Sequence, residues 1–561
     1  MKEEVQKIVA ESLDVLRRKK GLPSNSREIE ITIPKRREFG DFSTNIAIIL
    51  ASELNKKPRE VAELIINNIS IEGRNLFKKI EIAGPGFINF FINEKAITSR
   101  LMEIERLGEN YGKCNLGMGE RVLVEFVSAN PTGYLHVGHA RNAAVGDAIS
   151  NILNAVGYDV TREFYINDIG RQMELLGLSV YRRYEELFGI KKGFPEDGYW
   201  GEYIKDIANE IRDKRGKELL AEGAFEQEAI DSCKDYAKDR LLGEIKKDLN
   251  DFGVAFDNWY SEQNELHKAP PEVRGGNRIG AIKNELLLRG ALEEKDGALW
   301  FKASEFGEPQ DWVLVRKDGT STYFFSDIAY HYDKIQRGFK RLIDVWGADH
   351  HGHFSRLLAA LRALRLNDFS LEVVLIQFVR LIKDGQEISM SKRAGSYLTM
   401  REVMEGVGRD VMRFFLLMRS SESHLDFDLD LAKKESSENP VYYIQYAYAR
   451  IGSVLEKAKE RELSPSEEFL NLLSLPEEID IIKKLLTFPE LVRESALSLA
   501  PHKLVFYLQE MASDFHVYYN RIRIINDAPE QSSARLYFIN CIRTVIRNGL
   551  RLLGISAPER M

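Results

Sequence analysis

Cysteine is nearly absent. Cys114, Cys233 and Cys541 are the only three in 561 residues, they lie far apart, and no C-x-x-C pair occurs. A disulfide framework or a cysteine zinc site is therefore not what organises the chain, and a reducing compartment fits. Long apolar runs are missing too. No stretch of about 18 apolar residues occurs, and the charged start Met1-Lys2-Glu3-Glu4 leads into no apolar segment. The expectation is a cytoplasmic, soluble protein with no membrane partner. A basic excess is also lacking. The formal net charge is −7, which argues against a histone-like or coat-like nucleic-acid binder but leaves local basic surfaces open. Internal repeats and long low-complexity tracts do not occur.

What remains is an ordinary globular composition, 44% hydrophobic and 29% charged. At roughly 100–200 residues per domain, the length implies three to five domains. Each is large enough to bury a core without staples.

The first segment, residues 1–112, opens with a helical stripe, Val5, Ile8, Val9, Leu13 and Leu16. Alternation over Ile29–Ile33 predicts a strand ended by Pro34, and Phe87–Ile92 predicts another after Gly84-Pro85-Gly86. Between them lies a basic-aromatic turn, Lys35-Arg36-Arg37-Glu38-Phe39, running on to Asn45. Together these predict a small α+β domain. Glycines between Gly108 and Gly119 mark a linker. Arg121–Val127 then reads as an apolar strand, Ser128–Gly133 as a loop, and a helix runs from about Val137 to Val156 with Gly157 as its stop. Asp159–Ile166 is the next strand. This βαβ unit predicts a parallel sheet.

Residues of about 170–290 are charged and helical, and read as an insertion between two halves of that sheet. The sheet is expected to resume at Trp312–Val315, turn at Asp318-Gly319 and return through Thr322–Phe325. Arg341–Trp346 is a further strand. Gln377–Ile382 and Glu387–Ser389 flank a hairpin turn at Asp384-Gly385. From about Ser437 the pattern is helical throughout.

The chemistry gathers where the first strand of the βαβ unit ends. A helix N-terminus presents unpaired N–H groups and a partial positive charge, a ready phosphate site. Here it carries His136-Val137-Gly138-His139. Glycine lets a nucleotide approach the backbone, and histidines three apart can face one phosphate. By itself H-x-G-H is also met in helix-start turns with two solvated histidines. Its place after a strand in a βαβ unit tips the reading to phosphate. Downstream, Ser389-Met390-Ser391-Lys392-Arg393 follows the hairpin, and Lys392 is a cation suited to phosphates.

In this order the pair resembles the two signatures of class I aminoacyl-tRNA synthetases. Two positions depart from the second signature: Ser389 stands where its first lysine would be, and Arg393 where its last serine would be. Glu125–Gly133, Tyr165–Gln172, Asp318–Asp327, Trp346–His353 and Asp426–Leu431 resemble the arginyl-tRNA synthetase family across nearly the whole chain. The resemblance implies a multidomain α/β protein. A Rossmann-type parallel-sheet catalytic domain (113–436, helical insertion about 175–290) would stand between an N-terminal α+β domain that grips the tRNA elbow (1–112) and a C-terminal all-α anticodon-binding bundle (437–561).

It also implies roles. His136, His139 and Lys392 would be catalytic. His136, Gly138, His139, Asp349, His350, Met390, Ser391 and Lys392 would hold ATP. Glu125, Ser128, Asn130, Tyr323 and Asp327 would hold L-arginine, whose planar, five-donor guanidinium calls for carboxylate and hydroxyl partners. Lys35, Arg36, Arg37, Phe39, Asn45, Tyr446, Arg450, Arg521 and Arg523 would contact tRNA(Arg). Family members with a lysine at the position of Gly133 tend to lack the mobile-loop lysine; this chain has Gly133 and Lys392. ATP with Mg2+ is the expected substrate complex, no zinc is expected, and a monomer is implied. His350, His351 and His353 are read as an adenosine-pocket wall rather than a metal site. Two other readings of an H-x-G-H chain are a small-molecule nucleotidylyltransferase and a synthetase-like tRNA binder without activity.

Overall fold

The computed structural model describes residues 1–20, 29–34, 36–220, 225–268, 277–348, 352–388 and 398–561, with the backbone alone at Lys20 and Arg37. Lys35, Asp349, His350, Met390, Ser391 and Lys392 lie outside the described residues.

The N-terminal unit begins with the helix Lys2–Lys20, whose Val5, Val9, Leu13 and Leu16 are buried as their spacing predicts. Three antiparallel strands follow, β1 (Phe42–Thr44), β2 (Phe77–Ala83) and β3 (Phe87–Ile92), in the order β1-β3-β2. The strand expected over Ile29–Ile33 does not form. Thr32 makes one bridge to Ser43 and the ladder stops there. The partner strand is only three residues long, Ile33 points outward, and Pro34 has no N–H to donate.

The central unit is built on β4 (Arg121–Glu125), β5 (Asp159–Ile166) and β6 (Asn258–Ser261). Three strands elsewhere in this part of the chain, β7 (Leu292–Lys295), β8 (Ala298–Phe301) and β9 (Trp312–Val315), form a separate antiparallel sheet. The parallel sheet is completed by β10 (Arg341–Gly347) and β11 (Ser370–Ile376), giving the order β11-β10-β4-β5-β6. The chain moves outward from β4 through β5 to β6, then returns to the other side of β4. The order therefore reverses between β4 and β10, and ligands of such sheets bind in the crevice at the carboxyl ends beside that reversal.

This arrangement corrects the sequence reading in three places. Helices Arg171–Glu186, Glu202–Arg215 and Glu226–Asp251 do form a helical excursion, packed around Leu176, Tyr181, Ile204, Ile207, Ala237 and Leu241. The stretch read as insertion nevertheless also contains β6, the outer strand of the parallel sheet. Trp312–Val315 belongs to the small antiparallel sheet and does not resume the parallel one. Thr322–Phe325 is no strand: Thr322 immediately precedes the helix Tyr323–Gln336, hereafter the pocket helix, which buries Phe324, Phe325, Ile328 and Ala329 on one side. A short aromatic run fits either state, and only a longer window shows the helical period.

β12 (Val379–Lys383) and β13 (Gln386–Glu387) form the expected hairpin, with positive φ at both Asp384 and Gly385 as a two-residue turn of this kind requires. β14 (Leu425–Asp428) pairs with β12 in parallel. Beyond it the chain is helical, with Pro440–Lys459, His502–Arg521 and Pro529–Leu552 packed around Ile444, Ile451, Leu508, Phe515, Phe538 and Ile542. The fully buried Arg413 ties this bundle to the central unit through Leu553 O, Phe252 O and the Asp147 carboxylate. Among the described residues, no helix is long and apolar enough to cross a membrane.

Candidate active site

β4 stops sooner than its apolar run suggests. Val127 and Ser128 both have positive φ, 69° and 40°, which is rare for non-glycine residues and strained for a β-branched one. Asn142 holds the turn: its Oδ1 accepts the Val127 N–H at 2.7 Å, and its Nδ2 donates to Val345 O of β10 at 2.8 Å. One buried amide thus stitches the end of β4 to β10 at the point where strand order reverses. Sequence reading missed Asn142, because its partners are distant in the chain. The turn aims Ser128 back at the strand, so that its hydroxyl donates to Glu125 Oε1 at 2.8 Å.

The helix Val137–Ala155, the motif helix, then begins. His136 is its N-cap. His136 Nδ1 accepts the backbone N–H of Gly138 at 3.1 Å and of His139 at 3.4 Å, while His139 Nδ1 accepts the His136 N–H at 3.2 Å. The two rings stack with centroids 3.8 Å apart and planes 11° from parallel. This refines the sequence expectation: two of the helix-start N–H groups are taken by His136 itself. Because both Nδ1 atoms accept, the bonding pattern assigns the protons of the neutral rings to Nε2. The motif therefore presents two parallel imidazole donors rather than a bare backbone cradle. A Cβ at Gly138 would lie 3.0 Å from His136 Cε1, so any larger residue would press the stacked ring out of place.

The second signature lies outside the described residues, but its flanks do not. Ile388 N donates to Leu381 O at 2.9 Å on the hairpin side. On the other side Thr399 bridges His136, and Met400 N donates to Leu135 O at 2.7 Å. The residues that follow the second signature are therefore anchored on the first.

The expected arginine ligands gather at the carboxyl ends of β4 and β5. Tyr323 and Asp327 stand one turn apart on the pocket helix, with the Tyr323 ring half exposed. Asp327 is bonded to His353 Nε2, whose Nδ1 accepts from Arg356 Nε at 2.8 Å. His353, read from sequence as an adenosine-pocket wall, is thus joined to the Asp327 carboxylate. Asn130 Nδ2 donates to Gln172 Oε1 at 2.6 Å. Burial pushes the Tyr165 phenol well up, and the neighbouring charges of Glu262, Asp327 and Glu125 push it further. Burial and Glu262 also raise the Tyr323 phenol. Glu262, 2% exposed at the end of β6, was missed by the sequence reading because β6 itself was missed.

Beneath the pocket, Glu125 and Asp344 are register partners on β4 and β10. Lys334 Nζ donates to both, at 2.6 Å to Glu125 Oε2 and 2.8 Å to Asp344 Oδ1. His331 Nε2 lies 2.7 Å from Asp344 Oδ2. Burial disfavours charge on each carboxyl. At Asp344 Lys334 and His331 outweigh it and hold the pKa at about 2. At Glu125 burial, with the Asp344 charge, outweighs Lys334 and raises the pKa. Burial opposes the Lys334 charge as well, but the two carboxylates raise its pKa. Glu125, His331 and Asp344 are the one cluster of metal-ligating groups among the described residues, and the Lys334 ammonium already bonds both of its carboxylates.

The motif order agrees with what comparison with known proteins finds. Residues 103–415 match the model of the class I (R) tRNA synthetase catalytic domain, residues 2–92 that of the arginyl-tRNA synthetase N-terminal domain, and residues 444–561 that of the DALR anticodon-binding domain. The arginine–tRNA ligase of Syntrophotalea carbinolica is 46% identical over 565 residues, covering 100% of each chain. The chain belongs to the arginyl-tRNA synthetase family. It is an ATP-dependent arginine–tRNA ligase, charging tRNA(Arg) with arginine. The arginine–tRNA ligase of Geobacillus kaustophilus is 45% identical, covering 95% of this chain and 94% of its own. The Thermus thermophilus arginyl-tRNA synthetase structure shares the fold, with TM-score 0.73 at 22% identity over 100% of both chains.

The residues expected to touch tRNA fall in two places. Arg36 and Phe39 are exposed on the turn before β1, with Arg36 3.4 Å from Glu38, and Asn45 precedes the helix Ile46–Leu50. In the bundle, the Arg450 guanidinium lies over the rings of Tyr446 and Tyr519, at 4.3 and 4.8 Å, and donates to Tyr446 Oη at 2.7 Å. Tyr448 is buried, whereas Arg521 and Arg523 are exposed.

Proposed function

We propose that arginine is activated in the crevice between the carboxyl ends of β4 and β10. Tyr323, Asp327 and Glu262 receive the guanidinium, whose donors suit carboxylate and phenol oxygens. Glu125, Ser128 and Asn130 hold the α-ammonium and carboxylate end. MgATP enters as the substrate complex, against Gly138, Asp349, His350, Met390, Ser391 and Lys392. An arginine carboxylate oxygen attacks the α-phosphorus and the bond to the pyrophosphate oxygen breaks. The Nε2–H groups of His136 and His139 and the Lys392 ammonium bond the oxygens where negative charge builds. A terminal ribose hydroxyl of tRNA(Arg) then attacks the adenylate carbonyl, its proton is lost and AMP departs.

The observation that carries this reading is that Lys334 of the pocket helix, which also bears Tyr323 and Asp327, bonds Glu125 at the carboxyl end of β4, beside the reversal point of the sheet. Residues 1–112 act as the tRNA-elbow domain through Lys35, Arg36, Arg37, Phe39 and Asn45. Residues 437–561 act on the anticodon side through Tyr446, Arg450, Arg521 and Arg523, and 113–436 is the catalytic unit. The enzyme works as a cytoplasmic monomer.

Pyrophosphate exchange with each amino acid tests the reading. Exchange is expected with arginine alone and to need tRNA for full rate. Exchange with another amino acid sinks the pocket assignment, and full-rate exchange without tRNA sinks the tRNA requirement.

The raised Glu125 pKa adds a pH dependence. A carboxyl with a raised pKa takes up its proton earlier as pH falls. The KM for arginine is therefore expected to rise on acidification before pH reaches the ordinary carboxylate range, with the KM for ATP unaffected. A KM for arginine that is flat down to the ordinary range contradicts the role of Glu125.

A further inference from the structure

The fully buried Lys334 has no part in the chemistry above. Burying an ammonium is costly, and an ion pair is a poor device for stability alone, since apolar residues of the same size do as well or better. Its surroundings give it another use. Its Nζ bonds Glu125 of β4 and Asp344 of β10, and lies 4.3 Å from the centre of the Tyr330 ring. His331 lies 3.4 Å from the same nitrogen. Two carboxylates thus share one ammonium, and one negative charge is left over. Asp344 has a second partner in the His331 ring, whereas the other partner of Glu125 is the uncharged Ser128 hydroxyl, so Glu125 is the carboxylate left to pair with a further cation. Glu125 Oε2 is the oxygen bound by Lys334, and Oε1 is the one that accepts from Ser128. Lys334 also comes from the pocket helix, which carries Tyr323 and Asp327. It ties the strand proposed to hold the α-ammonium end to the helix proposed to hold the guanidinium.

We propose that Lys334 is a positioning residue for arginine: it fixes Glu125 through one oxygen, leaves the pair one cation short, and so prepares the pocket for the substrate ammonium. This rests on the reading of Glu125 as an arginine ligand.

The test uses the full-length enzyme with tRNA and arginine-dependent pyrophosphate exchange. Lys334→Met is expected to raise the KM for arginine at least about 10-fold, as loss of a buried charged partner does, with the KM for ATP unchanged. The defect is expected to shrink as pH rises, because Glu125 without its counter-cation holds a proton to higher pH. A merely structural role predicts neither the split between substrates nor the pH dependence. If Lys334→Met does not fold, Lys334→Met/Asp344→Asn removes one charge of each sign and is expected to show the same arginine-specific rise. A KM for arginine within about 2-fold of the parent in the folded variant overturns the proposal. So does a parallel rise for arginine and ATP. Glu125→Gln separates the two ideas. If it leaves the KM for arginine unchanged, the pocket reading fails. If it raises that KM while the Lys334 variants do not, only the positioning role fails.

Discussion

His139→Ala is expected to lower the maximal rate of arginine-dependent pyrophosphate exchange about 10²–10³-fold, the usual loss for one preorganised donor at a developing negative charge. The KM for arginine should stay near the parent value, because His139 stands at the head of the motif helix, apart from Glu125, Tyr323 and Asp327, the residues proposed to bind arginine. The variant also loses half of the cap at that helix, since His139 Nδ1 accepts the His136 N–H. Capping losses are about 1 kcal/mol, so the helix should survive, anchored by the buried Ala140, Ala143 and Ala144. His139→Asn controls for this: its side-chain oxygen can accept the same N–H, but it lacks a donor at the place of Nε2. Equal rates for the two variants would identify the donor as the cause. A loss below about 10-fold in both would remove His139 from the transition state.

Asp327→Asn is expected to raise the KM for arginine about 30- to 150-fold, corresponding to about 2–3 kcal/mol for truncating one partner of a close charge pair. The lower part of the usual range applies because the Asp327 side chain is 32% exposed. The physical reason is donor against donor. The carboxylate accepts from His353 Nε2 and, in the proposed complex, from the guanidinium. An amide in its place turns one acceptor into a donor, and a guanidinium has only donors to offer. Steady-state exchange kinetics read this directly, and the KM for ATP serves as the internal control. A KM for arginine within about 3-fold of the parent would mean that Glu262 and Tyr323 suffice, and the role given to Asp327 would fall.

Much of this site was legible in the chain. His136, Gly138 and His139 follow an apolar strand, and a strand–loop–helix start is a local pattern. The Asp384-Gly385 turn, the helical stripe of residues 5–16 and the helices after Ser437 are local as well, and all appear in the structure. Glu125, Tyr323 and Asp327 were singled out through the resemblance of their neighbourhoods. Asn142, Glu262 and Lys334 were not found. Asn142 and Lys334 sit inside helices, where one amide or one lysine carries no signal of its own. What gives them meaning are partners 203 and 209 positions away, Val345 and Glu125. Glu262 was lost with β6, because a four-residue strand after a long helix is too short to show its period.

The sequence by itself determined that the two signatures exist and in which order, and it placed the first at a helix start after a strand, because capping, turns and periodicity act over a few residues. Only the tertiary structure decided that the order of strands reverses between β4 and β10. That reversal brings Glu125 beside Asp344, and Lys334 is drawn between them because two buried carboxylates need a counter-charge. The tertiary structure also seats Thr399, just past the second signature, against His136. Strand order depends on pairings between distant segments, and no local pattern records it.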